Sequence, residues 1–388
     1  MNLLQDILVV DFSQFLSGPS AALRLADMGA QVIKIERPGT GDICRQLYVS
    51  DVMIEGESTI FHAINRNKQS YAADLKNAAD LEKVKQLLAK ADVMIHNFRP
   101  GVMERIGLDY ATVKTINPGI VYAEVSGYGT EGPWKDLPGQ DLLLQSVSGL
   151  TWLSNNNDES PTPMGVAVVD IMAGTHITQG ILAALYKNGI TGEGALVQVS
   201  MFESALDFQF EVLTCYYNDG RQLPVRSNVN SGHAYIAAPY GIYKTSDSYM
   251  ALAMTNIVLL AGLLQCEALK QFSDSNDWFS KRDEIKNILA AHLITGTAAH
   301  WLNILEKADI WCALVMDYDD LVQQEGYRSL NMEITVKTTS GLSVTTTRCP
   351  IRVDGELLLS YKGAPALGEH NEEIDQQFGI LKQLQRSA

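Results

Sequence analysis

The chain has 388 residues, is 46% hydrophobic and 19% charged, and carries a formal net charge of −15. This length leaves room for two or three domains, and the composition suits a large core rather than a disordered chain. The acidic balance argues against nucleic acid or an anionic membrane as partners, although a local arginine cluster can still hold a small phosphate-bearing ligand. Along the first half, short apolar runs alternate with amphipathic stretches. Ile7–Val10 reads as a strand and Pro19–Met28 as a helix stopped by Gly29. Gln31–Ile35, Asp92–Ile95 and Gly119–Val125 read as further strands, with helices at Ala79–Ala89 and Tyr110–Ile116 between them. Helices near 140–150 and 171–187 follow, then a strand at Ala195–Ser200 and a helix at Met201–Phe210. Strands alternating with helices predict a parallel sheet joined by right-handed crossovers.

The pattern changes near residue 220. Residues 226–246 hold Asn, Ser, Gly, Pro and Tyr and read as an extended loop. A strand is expected at Asp247–Thr255, with helices near 257–272, 281–294 and 298–308. Two β-branched stretches, Ile334–Thr339 and Leu342–Thr347, read as strands, and a helix near 371–384 ends the chain. The expected division is a large α/β domain over 1–220, a smaller α+β domain over 221–330, and a return to the large domain over 331–388.

The five cysteines, Cys44, Cys215, Cys266, Cys312 and Cys349, are scattered and form no CxxC pair. They suggest reduced thiols in a cytoplasmic protein. Met1–Asp6 has no basic, apolar character of a signal peptide, and Met250–Leu264, read as the most apolar stretch, is too short to span a bilayer. The seven histidines are dispersed, so no metal site is expected.

Asp170 draws attention because it follows the apolar run Gly165–Val169, read as a strand, and opens a helical stretch. Open parallel sheets carry their ligands at such strand-to-helix junctions. The plain alternative is a helix N-cap, for which Asp is a favoured residue. Gly127-Tyr-Gly129-Thr-Glu-Gly132 matches G-x-G-x-x-G, but Pro133, Trp134 and Pro138 follow it. No helix N-terminus is then available to hold a pyrophosphate, so nicotinamide or flavin binding is not expected. Arg37 follows the second strand, and Arg99 and Arg105 follow Asp92–Ile95, all at the edge where a phosphate-bearing ligand would sit.

Several segments together carry a resemblance: Val10-Asp-Phe-Ser-Gln-Phe-Leu-Ser-Gly-Pro19, Leu25 to Gly39 with Gly41-Asp42, Asn65-Arg-Asn-Lys-Gln-Ser70, Asn97-Phe-Arg-Pro-Gly101, Ser126-Gly-Tyr-Gly129, Thr191-Gly-Glu-Gly194 and Ala364 to His370. In these residues the chain resembles the class III CoA-transferases, the CaiB/BaiF family. The resemblance implies a Rossmann-type parallel sheet in the large domain and an interlocked homodimer, with 201–240 and 320–345 as threads between the subunits. It implies transfer of CoA from an acyl-CoA donor to a small carboxylic acid, with a coenzyme A thioester as substrate and no permanently bound cofactor. Asp170 would be the nucleophile that carries a covalent aspartyl intermediate. Arg37, Asn97, Phe98 and Arg105 would bind the nucleotide end of CoA, and Gln14 and Leu16 would line the pantetheine path. The racemase branch of the family carries a Gly-His-Asp segment where this chain has Gly139-Gln140-Asp141. Glutamine cannot relay a proton as imidazole does, which favours transferase over the alternative of an acyl-CoA racemase or isomerase. Gln140 is then expected to steady an oxyanion. A run of glycines found in the oxalate branch is replaced here by Asn228-Val-Asn-Ser-Gly-His233, which argues against formyl-CoA:oxalate specificity.

Overall fold

The computed structural model describes residues 2–47, 52–54 and 56–380. The described chain forms two compact units. One contains the residues up to Leu144, Ala167–Ala205 and the chain from Ser329; the other contains Gln145–Val166 and Leu206–Arg328. The second unit therefore takes in 145–166 and 206–220, which the sequence reading left in the large domain.

The first unit is built on a six-stranded sheet. Its strands are β1 (Leu8–Asp11), β2 (Gln31–Glu36), β3 (Gln69–Ala72), β4 (Val93–His96), β5 (Val121–Ser126) and β6 (Ala195–Ser200). Their spatial order is β3-β2-β1-β4-β5-β6, and every pair is parallel. This is the doubly wound order of nucleotide-binding α/β folds, whose switch point lies between β1 and β4. Side chains alternate across each strand, so both faces need cover. Val9, Val32, Ile95 and Ala123 pack beneath the helices Ser17–Asp27 and Val168–Thr191 through Leu25, Ala173 and Ile177. Val10, Ile33, Met94 and Tyr122 face the other way, against Val84, Leu88 and Val113.

Three expectations are corrected. The run Gly165–Val169 is not a strand: the helix already starts at Val168, so Asp170 sits inside its first turn. The edge strand β3 was not foreseen, because Gln-Ser-Tyr-Ala has no apolar run to announce it. The most apolar long segment is not Met250–Leu264. The 24-residue helix Val168–Thr191 is long and apolar enough to cross a membrane by length and composition, yet Ile177 and Ile181 are fully buried in the sheet's core.

The second unit holds a three-stranded antiparallel sheet in the order Cys312–Leu314, Tyr249–Leu252, Gly241–Lys244. The helices Ile257–Leu263, Arg282–Leu293 and Ala298–Glu306 cover it through Leu260, Leu289 and Trp301. Back in the first unit, Glu333–Lys337 and Ser343–Thr347 are the strands expected from their β-branched residues, and they pair as an antiparallel hairpin. The last described helix is Asn371–Phe378; the rest of the expected 371–384 helix lies largely outside the described residues.

Candidate active site

The turn after β1 is held by buried charges. Asp11 ends the strand and accepts from the backbone N–H of Ser13 at 2.9 Å, from the Ser13 hydroxyl, and from Lys68 Nζ at 3.0 Å. Lys34, on β2, donates to the Ser13 carbonyl at 2.7 Å and lies 2.7 Å from Asp42. Burial would raise the Asp11 carboxyl, but Lys68 and Lys34 outweigh it and hold it below its usual value. Burial pulls Lys68 down to about 8 against the attraction of Asp11. Farther along β2, Glu36 takes a two-pronged contact from Arg45 at 2.8 and 2.7 Å and accepts from Ser70 Oγ at 2.6 Å. Buried pairs with additional hydrogen bonds of this kind fix geometry, whatever their net worth to stability.

The turn is also tied across the switch point. Asn97, just after β4, accepts from the Gln14 N–H at 2.8 Å and donates to the Gln14 carbonyl at 2.6 Å. Its amide lies 3.5 Å from Ser17 Oγ. Asn97 thus shapes the Gln14–Leu16 turn. Phe98 stacks on His96 with ring centroids 6.3 Å apart, and His96 approaches Glu124 to 3.6 Å. Arg37, Arg99 and Arg105 are exposed. Arg37 follows β2, Asn97 to Arg105 follow β4 and Gln14 to Leu16 follow β1, so the parallel sheet places all of them on one edge.

Asp170 reaches the same edge through the long helix. That helix lies directly on helix Ser17–Asp27, because Gly174 leaves no side chain between them: a Cβ there would collide with Ser20 Oγ and come within 2.8 Å of the Ser17 carbonyl. One turn earlier, the Asp170 carboxylate faces Ser17, whose N–H and hydroxyl both favour its ionised form. Asp170 is not the N-cap. Val169 N–H and Asp170 N–H donate to Asp141 Oδ1 at 2.7 and 3.3 Å, so the cap comes from a residue far back in the chain. Burial first, and the Asp141 carboxylate second, push the Asp170 carboxyl up to about 6.

Gly139-Gln140-Asp141 arrives there because its backbone crosses that of Gly127 so closely that a Cβ on Gly127 would lie 2.8 Å from the Gly139 Cα. Tyr128, Trp134 and Phe202 pack as a ring cluster around the connecting loop, with centroids 5.4 to 5.9 Å apart. The G-x-G-x-x-G match is therefore a loop-crossing device, and the next helix starts only at Asp141. The Gln140 residue is exposed, and its carbonyl accepts from Leu144. Gln145 accepts from Met164 N–H at 2.9 Å and donates to the Val166 carbonyl at 3.3 Å, closing the 145–166 excursion at its base. The sequence reading missed Asp141, although it sits in a segment singled out for Gln140. It also missed Ser17, Lys34 and Lys68; the signal was a lysine inside the apolar strand Val32-Ile-Lys-Ile. Among the described residues no group of three or more His, Cys, Asp or Glu side chains could hold a metal ion.

This edge carries a carboxylate of raised proton affinity, and exposed arginines follow other strands of the same edge, a combination that suits acyl chemistry on a phosphate-bearing substrate. A family model described as CoA-transferase family III matches residues 4–371. The chain belongs to that family. It is 32% identical over 384 residues to acetyl-CoA:oxalate CoA-transferase of Acetobacter aceti, covering 96% of this chain and 95% of that protein. It is 29% identical to succinyl-CoA:glutarate CoA-transferase of Mus musculus, covering 96% and 86% of the two chains. Among solved structures, a CaiB/BaiF family protein from Brucella suis superposes with a TM-score of 0.83 at 28% identity, covering 96% of this chain and 98% of that one. The family III transferase reading and its α/β fold with a parallel sheet thus agree with the resemblance read from the sequence.

Proposed function

We propose that this transferase moves CoA from a donor acyl-CoA to a small carboxylic acid through a covalent adduct on Asp170. The observation that carries this reading is the Asp170 carboxylate itself: half-buried, pushed up to about 6, and held at the ligand edge between Ser17 and Asp141. A carboxylate needs no added base to attack a thioester, and removal from water strengthens it as a nucleophile. Asp170 attacks the acyl carbonyl and the C–S bond breaks, leaving a mixed anhydride and CoA thiolate. The thiolate attacks the Asp170 Cγ, releases the donor acid as carboxylate and leaves an aspartyl-CoA thioester. The acceptor carboxylate then attacks that thioester carbonyl, and the freed thiolate attacks the acceptor's own carbonyl, which returns Asp170 as a carboxylate. Gln140 and nearby main-chain N–H groups would steady the oxyanions.

Arg37, Asn97, Phe98 and Arg105 would lie against the adenine and phosphates of CoA. Gln14 and Leu16 would line the pantetheine arm, with Asn97 shaping their turn. Relatives named for oxalate and glutarate support a small carboxylic acid as the other substrate. We further propose an interlocked homodimer, supported by large apolar side chains left open on the single chain, among them Tyr186 (75% exposed), Phe210 (68%) and Leu223 (71%). A cytoplasmic setting is supported by five free cysteines.

The test is mass spectrometry of the protein after mixing with acyl-CoA donors and trapping with hydroxylamine. The expected result is a hydroxamate on the peptide containing Asp170 and acyl-CoA products of added acids. Deuterium exchange at the α-carbon with no CoA transfer would instead reveal an isomerase.

A further inference from the structure

The cap on helix Val168–Thr191 is supplied by a distant segment of the same chain. Ala167 stands at the N-cap position and gives no side-chain cap, while Asp141 accepts from the N–H of Val169 and of Asp170. An uncharged Asn, isosteric with Asp, would present its amide oxygen to those two donors as well. What a carboxylate adds is charge, fixed beside the residue that receives the acyl group. We propose that Asp141 is a positioning residue that sets the leaving tendency of Asp170, so that the mixed anhydride breaks toward aspartyl-CoA. The inference rests on Asp170 being the nucleophile.

The anhydride offers CoA thiolate two carbonyl carbons. Attack at the Asp170 Cγ breaks the bond from Cγ to the bridging oxygen, which departs with the donor as its carboxylate. Attack at the donor carbonyl breaks the other bond to that oxygen, expels Asp170 as a carboxylate and undoes the first step. Both routes consume the thiolate and release one carboxylate, so the choice depends on which anion is better stabilised. The negative charge of Asp141 disfavours the Asp170 anion, and the donor acid becomes the better leaving group. The surroundings agree with this role. Ser17, from helix Ser17–Asp27, is the neighbour that favours the anion. On β1 and β4, Asp11 is paired with Lys68 and His96 lies against Glu124. On Asp170's own helix the next titratable group, His176, lies 3.0 Å from Ser204 Oγ. Burial and Asp141, in that order, are what raise the Asp170 carboxyl.

The test compares Asp141→Asn, which keeps the capping acceptor in place, with Asp141→Ser, which removes the charge and draws the acceptor back, and with Asp170→Asn. The readouts are thermal melting, acyl-CoA KM, and the pH profiles of kcat and kcat/KM. Asp141→Asn should melt close to the native protein, Asp141→Ser lower through loss of the cap, and both should keep the acyl-CoA KM within about twofold. Their acidic limb should move to lower pH, and kcat at pH 8 should fall severalfold as the anhydride reverts. An acidic limb left in place in both variants, with Asp170→Asn inactive, would overturn the proposal: Asp141 would be a cap alone and the nucleophile reading would stand. An active Asp170→Asn would remove that reading and this proposal together.

Discussion

Asp11 and Asp170 both lie at the C-terminal edge of the same sheet, and the fold treats them in opposite ways. Asp11 is fully buried and surrounded by Lys68, Lys34 and the two donors of Ser13. Asp170 meets two donors from a single serine and a second carboxylate. The first is held ionised and the second is drawn toward its proton. A carboxylate whose charge is fully compensated fixes a backbone turn; one left short of positive partners keeps a raised proton affinity, which the proposed covalent role would use. The two are linked in the chain, because the turn fixed by Asp11 leads into the helix whose first residue, Ser17, faces Asp170.

The largest effect that would break this contrast is on the reactive side. Asp170→Asn keeps the size and loses the charge, and a neutral amide is a poor nucleophile. Transfer should fall by at least about a thousandfold, with no hydroxamate trapped on the peptide. Turnover near the native rate would end the covalent reading.

On the structural side, Lys68→Met should cost about 3–5 kcal/mol of unfolding free energy, because it leaves Asp11 buried beside its lost partner. Adding Asp11→Asn should restore part of that loss, which a double-mutant cycle under urea would measure. If the single and double variants were equally unstable, Lys68 would matter through its contacts with Pro19 and Asn65 instead.

Parts of this arrangement were legible in the sequence and parts were not. Alternating apolar runs gave five of the six strands; Asp170 drew attention as a strand-to-helix junction, although the run before it is not a strand. The edge strand Gln69–Ala72 carried no apolar signal, because its order comes from pairing with β2. The cap could not be read either: Asp141 stands 29 residues before Asp170, and only the crossing at Gly127 and Gly139 brings it back. Position within an apolar strand could have marked Lys34, but its partners Ser13 and Asp42 belong to separate turns. A single chain read locally shows which residues are unusual without showing which residue meets them.

Stability against pH should sharpen the contrast. The Asp170 carboxyl binds its proton more tightly folded than unfolded, so its contribution is present at low pH and is lost as pH rises from 3.8 through about 6. Asp11 has the opposite sign: its contribution is present above its unfolded value and is lost as pH falls. Asp170→Asn should therefore be more stable than the native protein at pH 8, by on the order of 2 kcal/mol, with the gap closing toward pH 4. A gap independent of pH would mean that Asp170 titrates alike in the folded and unfolded chains.

The smallest expected effects lie on the exposed part of the same edge. Arg37 and Arg105 are open to solvent and follow β2 and β4, so each would meet CoA phosphates where water still screens the charge. Such contacts are alike in the ground and transition states, because the phosphates lie far from the reacting thioester. Arg37→Ala and Arg105→Ala should each raise the acyl-CoA KM by about tenfold and leave kcat nearly unchanged. Added salt should weaken the native enzyme's binding more than that of either variant, since each has already lost a charge. The contrast with Asp170 would then be one of kind: removing an arginine should weaken capture of the substrate, and removing the carboxylate should stop its conversion. An arginine variant that lost kcat at unchanged KM would place that side chain at the reacting carbonyl and would move the CoA site away from the edge described here.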